Sequence, residues 1–460
     1  MQEKPTTSTD NLHSNGKVQH EDWRQIEVRD IIAQYMMIQQ VAQLDPGALP
    51  TEDQSIIYRN ESHLLVTFAG ELLHDSELVY SELDKELSAQ DMYVLLRQNP
   101  EGANQGQPHV IHVLAHRPIR PKAWSALPNL VLFIVTIISV MLTGAAISLA
   151  EMQYRDEQAL LQQGILLEAA QAEVNFGAGV MEIVKNIWRG WPYALSILLI
   201  LVPHEMGHYL MMRRHNAEAS LPFFIPAFLI SPFGTFGAAI VLRETLKNRK
   251  TLLDVGAAGP IAGFVIAVPI LLIGMMTSIK IPIEPDGIVE GVSLLYGAAK
   301  WMVLGQSWLD GTQDILLNQL AWAGWTGLFV TALNMLPLGQ LDGGHVLYSL
   351  LGDKARKLYF PLLLAMVGLA LFLSLTWLLF ALMLYFVGRN YAVPMDNITP
   401  LDAPRRVIAI VALVILVLTF TPVPIYQRGQ IGGLLYWLWN WISGFGVIGV
   451  AFLLTVPRRM

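Results

Sequence analysis

With 460 residues, 53% of them hydrophobic and only 15% charged, and a mean hydropathy of +0.44, the chain falls in the polytopic membrane class rather than the soluble globular one. A net charge of -7 carries no nucleic-acid footprint. There is no cysteine, which removes disulfides and thiolate ligands, so any bound metal must use His, Asp or Glu.

Residues 1–20 are polar and lack an apolar core segment, so they read as a disordered tail and not as a secretory signal peptide. Residues 21–121 are expected to form a small cytoplasmic α+β domain. Within it, Trp23, Ile26, Ile31, Tyr35, Ile38 and Val41 share one face if residues 21–43 are helical. Asp45-Pro46-Gly47 ends that pattern. Residues 63–73, 92–98 and 110–115 read as strands, and 75–87 as an amphipathic helix. The histidines of this region (His63, His74, His109, His112, His116) lack metal-ligand spacing and read as ordinary surface or core residues.

Residues 122–460 read as a membrane-embedded domain. Arg117, Arg120 and Lys122 precede an apolar span at 127–150, which by the positive-inside rule leaves the N-terminal domain cytoplasmic. A charged external loop, 151–189, leads to a second span at 191–212, closed by Arg213, Arg214 and His215. The apolar stretch 221–242 is broken by Pro222, Pro226, Pro232, Gly234 and Gly237, so a re-entrant segment or embedded hairpin is expected there. A third span, 252–277, carries Gly256, Gly259 and Gly263, read as helix-packing glycines. After an external loop at 278–313, a fourth span at 316–338 returns inward. The apolar run 358–387 reads as two short helices. Further spans near 407–420 and 434–456 bring the expected total to about eight. Tyr436, Trp437, Trp439 and Trp441 read as interfacial anchors of the last span. The expected fold is thus a polytopic α-helical membrane protein with a re-entrant segment and a small soluble α+β domain.

The second span contains His204-Glu205-Met206-Gly207-His208, after a stretch from Trp191 to Leu201 with no charge. Ionisable side chains at membrane depth are costly and mark functional sites. On a helix, His204 and His208 share a face and suit one Zn²⁺, with Glu205 placed to take a proton from water at the metal. Two histidines leave a catalytic zinc site one ligand short. The run from Asn334 to Gly344 (NMLPLGQLDGG) offers the missing carboxylate, Asp342, at the end of the fourth span. Pro337 and Gly339 would loosen the backbone there. Asp342 could alternatively cap a helix beginning at Gly343. His345, one turn on, reads as a supporting or packing residue rather than a further ligand.

The pair H-E-x-x-H and N-x-x-P-x-x-x-L-D-G-G resembles the site-2 protease family of intramembrane zinc metalloproteases. Leu221-Pro222-Phe223-Phe224-Ile225-Pro226, with Gly234-Thr235-Phe236-Gly237-Ala238, is similar to the branch shared by cyanobacterial and plastid members. The resemblance covers residues 120 to 460. It implies a three-helix core whose first helix carries the histidines and whose third carries the aspartate. It also implies His204, His208 and Asp342 as zinc ligands, Glu205 as general base, and Asn334 as a residue positioning substrate or the developing oxyanion. Substrates would be transmembrane segments of other proteins in the lipid bilayer, cut in regulated intramembrane proteolysis. The expected location is a bacterial plasma membrane, with the N-terminus cytoplasmic. No PDZ-like segment is present, which leaves substrate selection or regulation to the N-terminal domain. Two other classes compete. A non-proteolytic metal-binding protein or transporter would spread more polar residues through the spans. A catalytically inactive relative would lack a motif residue, whereas all four stand in place.

Overall fold

Four short strands in the first quarter of the chain pair edge to edge because their apolar side chains can then share one buried face. The computed structural model describes residues 26–427 apart from 60–61, 117–124, 164–175, 229, 284–287 and 389. Strands β1 (Met36–Ala42), β2 (His63–Leu72), β3 (Met92–Gln98) and β4 (His109–Ala115) form an antiparallel sheet in the order β1-β2-β4-β3. A short helix α1 (26–33) precedes β1. Helix α2 (Thr51–Arg59) joins β1 to β2, and α3 (Ser76–Ser88) joins β2 to β3. Asp75 caps α3 by accepting from the Glu77 amide at 3.0 Å. Val79, Leu83 and Leu87 on its inner face pack with Phe68, Leu95 and Ile111 of the sheet.

One expectation is corrected here. Residues 21–43 do not continue as one helix: the described part turns at 34–35, and Met36 onward is strand. The sequence Met-Met-Ile-Gln-Gln-Val-Ala suits either periodicity. Backbone pairing with β2 decides it, since a helix would leave that edge of β2 unpaired.

Two later segments, 244–250 and 393–400, belong to the same compact unit as this sheet. The amide of Leu96 donates to Met395 O at 3.0 Å, and that of Asn397 to Leu96 O at 3.1 Å, covering the edge of β3. Outside them, Met395 N donates to Leu246 O at 2.9 Å and Asp396 N to Lys247 O at 2.8 Å. Arg97 cements the arrangement. Its Nη2 meets Asp53 Oδ1 at 2.6 Å, and its Nη1 donates to Met395 O at 2.6 Å.

The second unit holds the remaining helices: α4 (Leu127–Gln162), α5 (Phe176–Lys185), α6 (Trp191–Arg214), α7 (Arg249–Thr277) from Thr251 onward, α8 (Leu294–Leu304), α9 (Gln306–Leu309), α10 (Gln319–Asn334), α11 (Asp342–Leu351), α12 (Tyr359–Phe372), α13 (Thr376–Val387) and α14 (Ala403–Thr419). Among the described residues, four helical stretches are long and apolar enough to cross a membrane: Leu127–Gln162, Ile187–Arg214, Arg249–Thr277 and Asp342–Phe372. The other expected spans are shorter. Helix α10 has 16 residues, about 24 Å at 1.5 Å per residue, less than the roughly 30 Å of a hydrocarbon core. Residues 358–387 form two helices, α12 and α13, broken at 373–375. The span expected at 434–456, its aromatic cluster and the tail 1–20 lie outside the described residues.

Residues 221–242 form a hairpin in which β5 (Phe223–Pro226) pairs antiparallel with β6 (Thr235–Ala239). Side chains of three helices satisfy backbone carbonyls of this segment. Asn129 Nδ2 donates to Leu221 O at 2.8 Å, Ser139 Oγ to Gly234 O at 2.6 Å, Tyr193 OH to Phe233 O at 2.8 Å and Trp322 Nε1 to Pro232 O at 3.2 Å. Farther along, β7 (Ile279–Pro282) pairs with β9 (Gln313–Leu316), and β8 (Ile288–Glu290) with β10 (Ile425–Gln427). Lys300 of α8 is buried between Asp314 at 2.6 Å and Glu290 at 2.8 Å.

In the α+β unit, His112 is hydrogen-bonded to Thr67 Oγ1 at 2.9 Å, and burial, aided by the nearby Arg97 cation, pushes its pKa down from 6.5 to about 4. The unfolded chain therefore takes up this proton first as pH falls. The contribution of neutral His112 is fully present above about pH 6.5 and is lost toward pH 4, by up to roughly 3 kcal/mol. Denaturant unfolding of the unit should thus weaken between pH 7 and pH 5, and His112→Gln should flatten that dependence. An unchanged slope in the variant would assign the effect to other groups.

Candidate metal centre

The apolar flank of α6 carries His204, Glu205 and His208 into the interior, and all three are buried. Their fold partner is the start of α11. Asp342 is the first residue of that helix, Leu341 is its N-cap, and no side chain makes a capping bond. The capping alternative for Asp342 is thereby excluded, and its carboxylate is turned elsewhere. The two following glycines explain how. A β-carbon at Gly343 would stand 1.9 Å from Met335 O, and one at Gly344 would stand 2.3 Å from Gly339 O. Only glycines let α11 fold back on the turn that ends α10, which carries Asp342 toward α6.

Asp342 Oδ2 stands 3.4 Å from His204 Nε2 and 3.3 Å from His208 Nε2. One ligand atom from each of the three residues lies within 4.8 Å of the others, the group of that kind found among the described residues. Tetrahedral ligands about 2.0–2.2 Å from zinc stand roughly 3.3–3.6 Å apart, so the aspartate-histidine spacings suit one ion. Two imidazoles and a carboxylate, with no thiolate, form a three-ligand set that leaves a fourth position for water or substrate. His208 Nδ1 donates to Val255 O of α7 at 2.7 Å, which fixes the tautomer that presents Nε2 to a metal. Asn334 Nδ2, at the end of α10, is 3.3 Å from His204 Nε2. The structure thus brings His204, His208, Asp342 and Asn334 together, with Glu205 buried next to His204 on α6.

His345 is buried, but it is outside the three-residue group, and its Nδ1 has no hydrogen-bond partner among the described residues. It packs against Gly256 of α7, where a β-carbon would stand 2.7 Å from His345 Cβ. Sequence reasoning underrated the glycines of α7. Gly259 faces His208 Nε2, 2.0 Å from where a β-carbon would be, and Gly263 faces His204 Nδ1 at 3.0 Å. They do serve helix packing, but what packs into their space is the set of imidazoles. A signal was present: Gly259 and Gly263 repeat the four-residue spacing of His204 and His208. The Val255 carbonyl had no signal, because any residue supplies one.

A methyl group at Gly259 must displace the His208 ring, whose Nδ1 bond to Val255 holds it in place. Gly259→Ala should therefore weaken zinc binding by at least about tenfold, read by competition with a chelator. Gly368→Ala, where a β-carbon meets nothing within 4 Å, should leave it unchanged.

Residues 192–375 match the profile of "Peptidase family M50". The protein named "Probable zinc metalloprotease EGY2, chloroplastic" of Arabidopsis thaliana is 31% identical over 265 residues, covering 57% of this chain and 46% of the relative. "Probable zinc metalloprotease EGY1, chloroplastic" of Oryza sativa subsp. japonica is 27% identical over 377 residues, covering 78% of this chain and 62% of the relative. The Arabidopsis protein of the same name is 28% identical over 380 residues, covering 78% and 66%. The chain thus spans about half to two thirds of the length of these relatives. No solved structure matches it. Paired motifs joined in one His-His-Asp cluster and a profile match across both agree: the chain is similar to peptidase family M50 and to the plastid zinc metalloproteases.

Proposed function

We propose that the protein is an intramembrane zinc endopeptidase that hydrolyses peptide bonds in the transmembrane segments of other membrane proteins, in regulated proteolysis. The observation that carries this reading is the convergence of His204, His208 and Asp342 beside a buried Glu205, on helices apolar enough to lie in a bilayer. The zinc named in the relatives supports the choice of metal. His204, His208 and Asp342 would hold Zn²⁺, which supplies a Lewis acid for the scissile carbonyl and for water.

The chain's own residues supply the rest. Glu205 would accept the proton of the attacking water and pass it to the leaving nitrogen. The Asn334 amide, near His204, offers a donor to the substrate or to the oxyanion as charge develops. A substrate helix hides its carbonyls in hydrogen bonds and must open locally. The β5–β6 hairpin is two-stranded among the described residues, and an opened peptide could pair along it as a third strand. Its backbone is satisfied by Asn129, Ser139, Tyr193 and Trp322, which supports placing it within the membrane. The α+β unit would select substrates or regulate access. Arg213 and Arg214 at the end of α6 support an orientation with the N-terminus and the metal centre toward the cytoplasmic side. The chloroplastic names of the relatives lend no support to a bacterial plasma membrane.

Purified chain should carry about one zinc, and Asp342→Ala clearly less. Glu205→Gln should keep the zinc and lose cleavage of a transmembrane substrate by roughly 10²–10⁴-fold. Unaltered cleavage in Glu205→Gln would overturn the role given to that residue. A well-folded wild type that takes up no zinc would overturn the reading as a whole.

A further inference from the structure

On α7, two consecutive residues reach α6 at two levels. The Val255 carbonyl oxygen accepts from His208 Nδ1 at 2.7 Å, and the Asp254 carboxylate meets His215 Nε2 at 2.9 Å. His208 lies within α6, and His215, seven residues later, is the C-cap residue that closes that helix. The same carboxylate accepts a forked pair from Arg405 of α14, Nε at 2.9 Å and Nη2 at 2.7 Å. Arg405 is itself braced by Asp402, the N-cap of α14, which receives its backbone amide at 3.0 Å and pairs with its Nη1. Asp254 is mostly buried, its side chain 14% exposed, and it ties three helices at one point.

Helices α6 and α7 approach closely at glycines, which sets their separation but not their register. A β-carbon at Gly207 would stand 2.7 Å from Ala258 O, and one at Gly259 would overlap the His208 ring. A small slide of α7 along α6 would move the Val255 carbonyl relative to His208 Nδ1, and the ring would lose its preferred tilt. Backbone contact alone does not fix that slide, because glycine faces are smooth. A forked, charge-assisted pair with defined geometry does.

We propose that Asp254 is a positioning residue for the metal centre: by tying His215, the C-cap of α6, and Arg405 of α14, it sets the register at which the Val255 carbonyl orients His208. This rests on the zinc reading above. Neither motif contains any of these three residues, and Asp254 acts through the Val255 backbone and touches neither metal nor substrate.

The test uses the full-length chain and reads three quantities: the zinc dissociation constant by chelator competition, the visible spectrum of the cobalt-loaded chain, and the thermal midpoint. Asp254→Ala should weaken zinc binding by about 10–100-fold and alter the cobalt spectrum, with the midpoint close to wild type. Arg405→Ala should act in the same direction, and the double variant should be no worse than the stronger single, since both cut one tie. Asp254→Glu should recover part of the affinity. Should Asp254→Ala fail to fold, His215→Gln, which removes one arm only, decides by the same measurements, with a loss of at least about threefold expected. Unchanged zinc affinity and cobalt spectrum in a folded variant would overturn the proposal while leaving the zinc reading intact. Zinc loss that merely tracks a fall in thermal midpoint, without rescue by Asp254→Glu, would reduce Asp254 to a structural role. Failure of the wild type to bind zinc would overturn both.

Discussion

His208 occupies the space that a β-carbon at Gly259 would need, and the membrane unit is arranged around that fact. An imidazole on one helix can reach a carboxylate on another only if the helix between them comes close enough to orient the ring without blocking it. Glycines on α7 permit the approach, and the Val255 carbonyl uses it. Asp342 completes the cluster because Gly343 and Gly344 let α11 begin hard against the preceding turn. His204, His208 and Asp342 are thus held close by neighbouring glycine backbone, the kind of support a metal site needs to keep its geometry.

A second constraint shapes the periphery of that unit. Backbone polar groups removed from water must find hydrogen-bond partners. The hairpin of residues 221–242 finds them in side chains from α4, α6 and α10, which places those helices and the hairpin in a fixed relation. Lys300 is treated in the same way, since its buried ammonium lies between two carboxylates. Leaving such a charge unpaired would cost several kcal/mol.

Much was legible in the sequence because the informative patterns were local. The strand from Met92 to Gln98 and the helix from Ser76 to Ser88 have bounds close to those read from alternation and from the capping residue Asp75. The run 358–387 suits one long tilted helix or two short ones, and the preference for two, which rests on placing Arg389, Arg405 and Arg406 on the cytoplasmic side, agrees with α12 and α13. The strand at Met36–Ala42 was not legible, because its residues suit both a helical face and a strand, and only pairing with β2 separates them. Nor was the enlistment of residues 244–250 and 393–400 into the α+β unit, since a sheet edge accepts backbone from any sequence. The span count read from hydropathy exceeds the four long helices of the described residues, because hydropathy reports apolar length and not where a helix ends.

The candidate site divides along the same line. By itself, the sequence determined the chemistry: which residues could ligate a metal, which acid could move a proton, and that these lie in apolar surroundings. Those are properties of residue type and of spacing on one helix. Only the tertiary structure decided that Asp342 joins the two histidines instead of capping a helix, that the glycines of α7 face imidazoles, and that Asp254 ties His215 to Arg405. These depend on distances between segments 39 to 151 residues apart or on backbone groups, and a backbone carbonyl leaves no mark in a sequence.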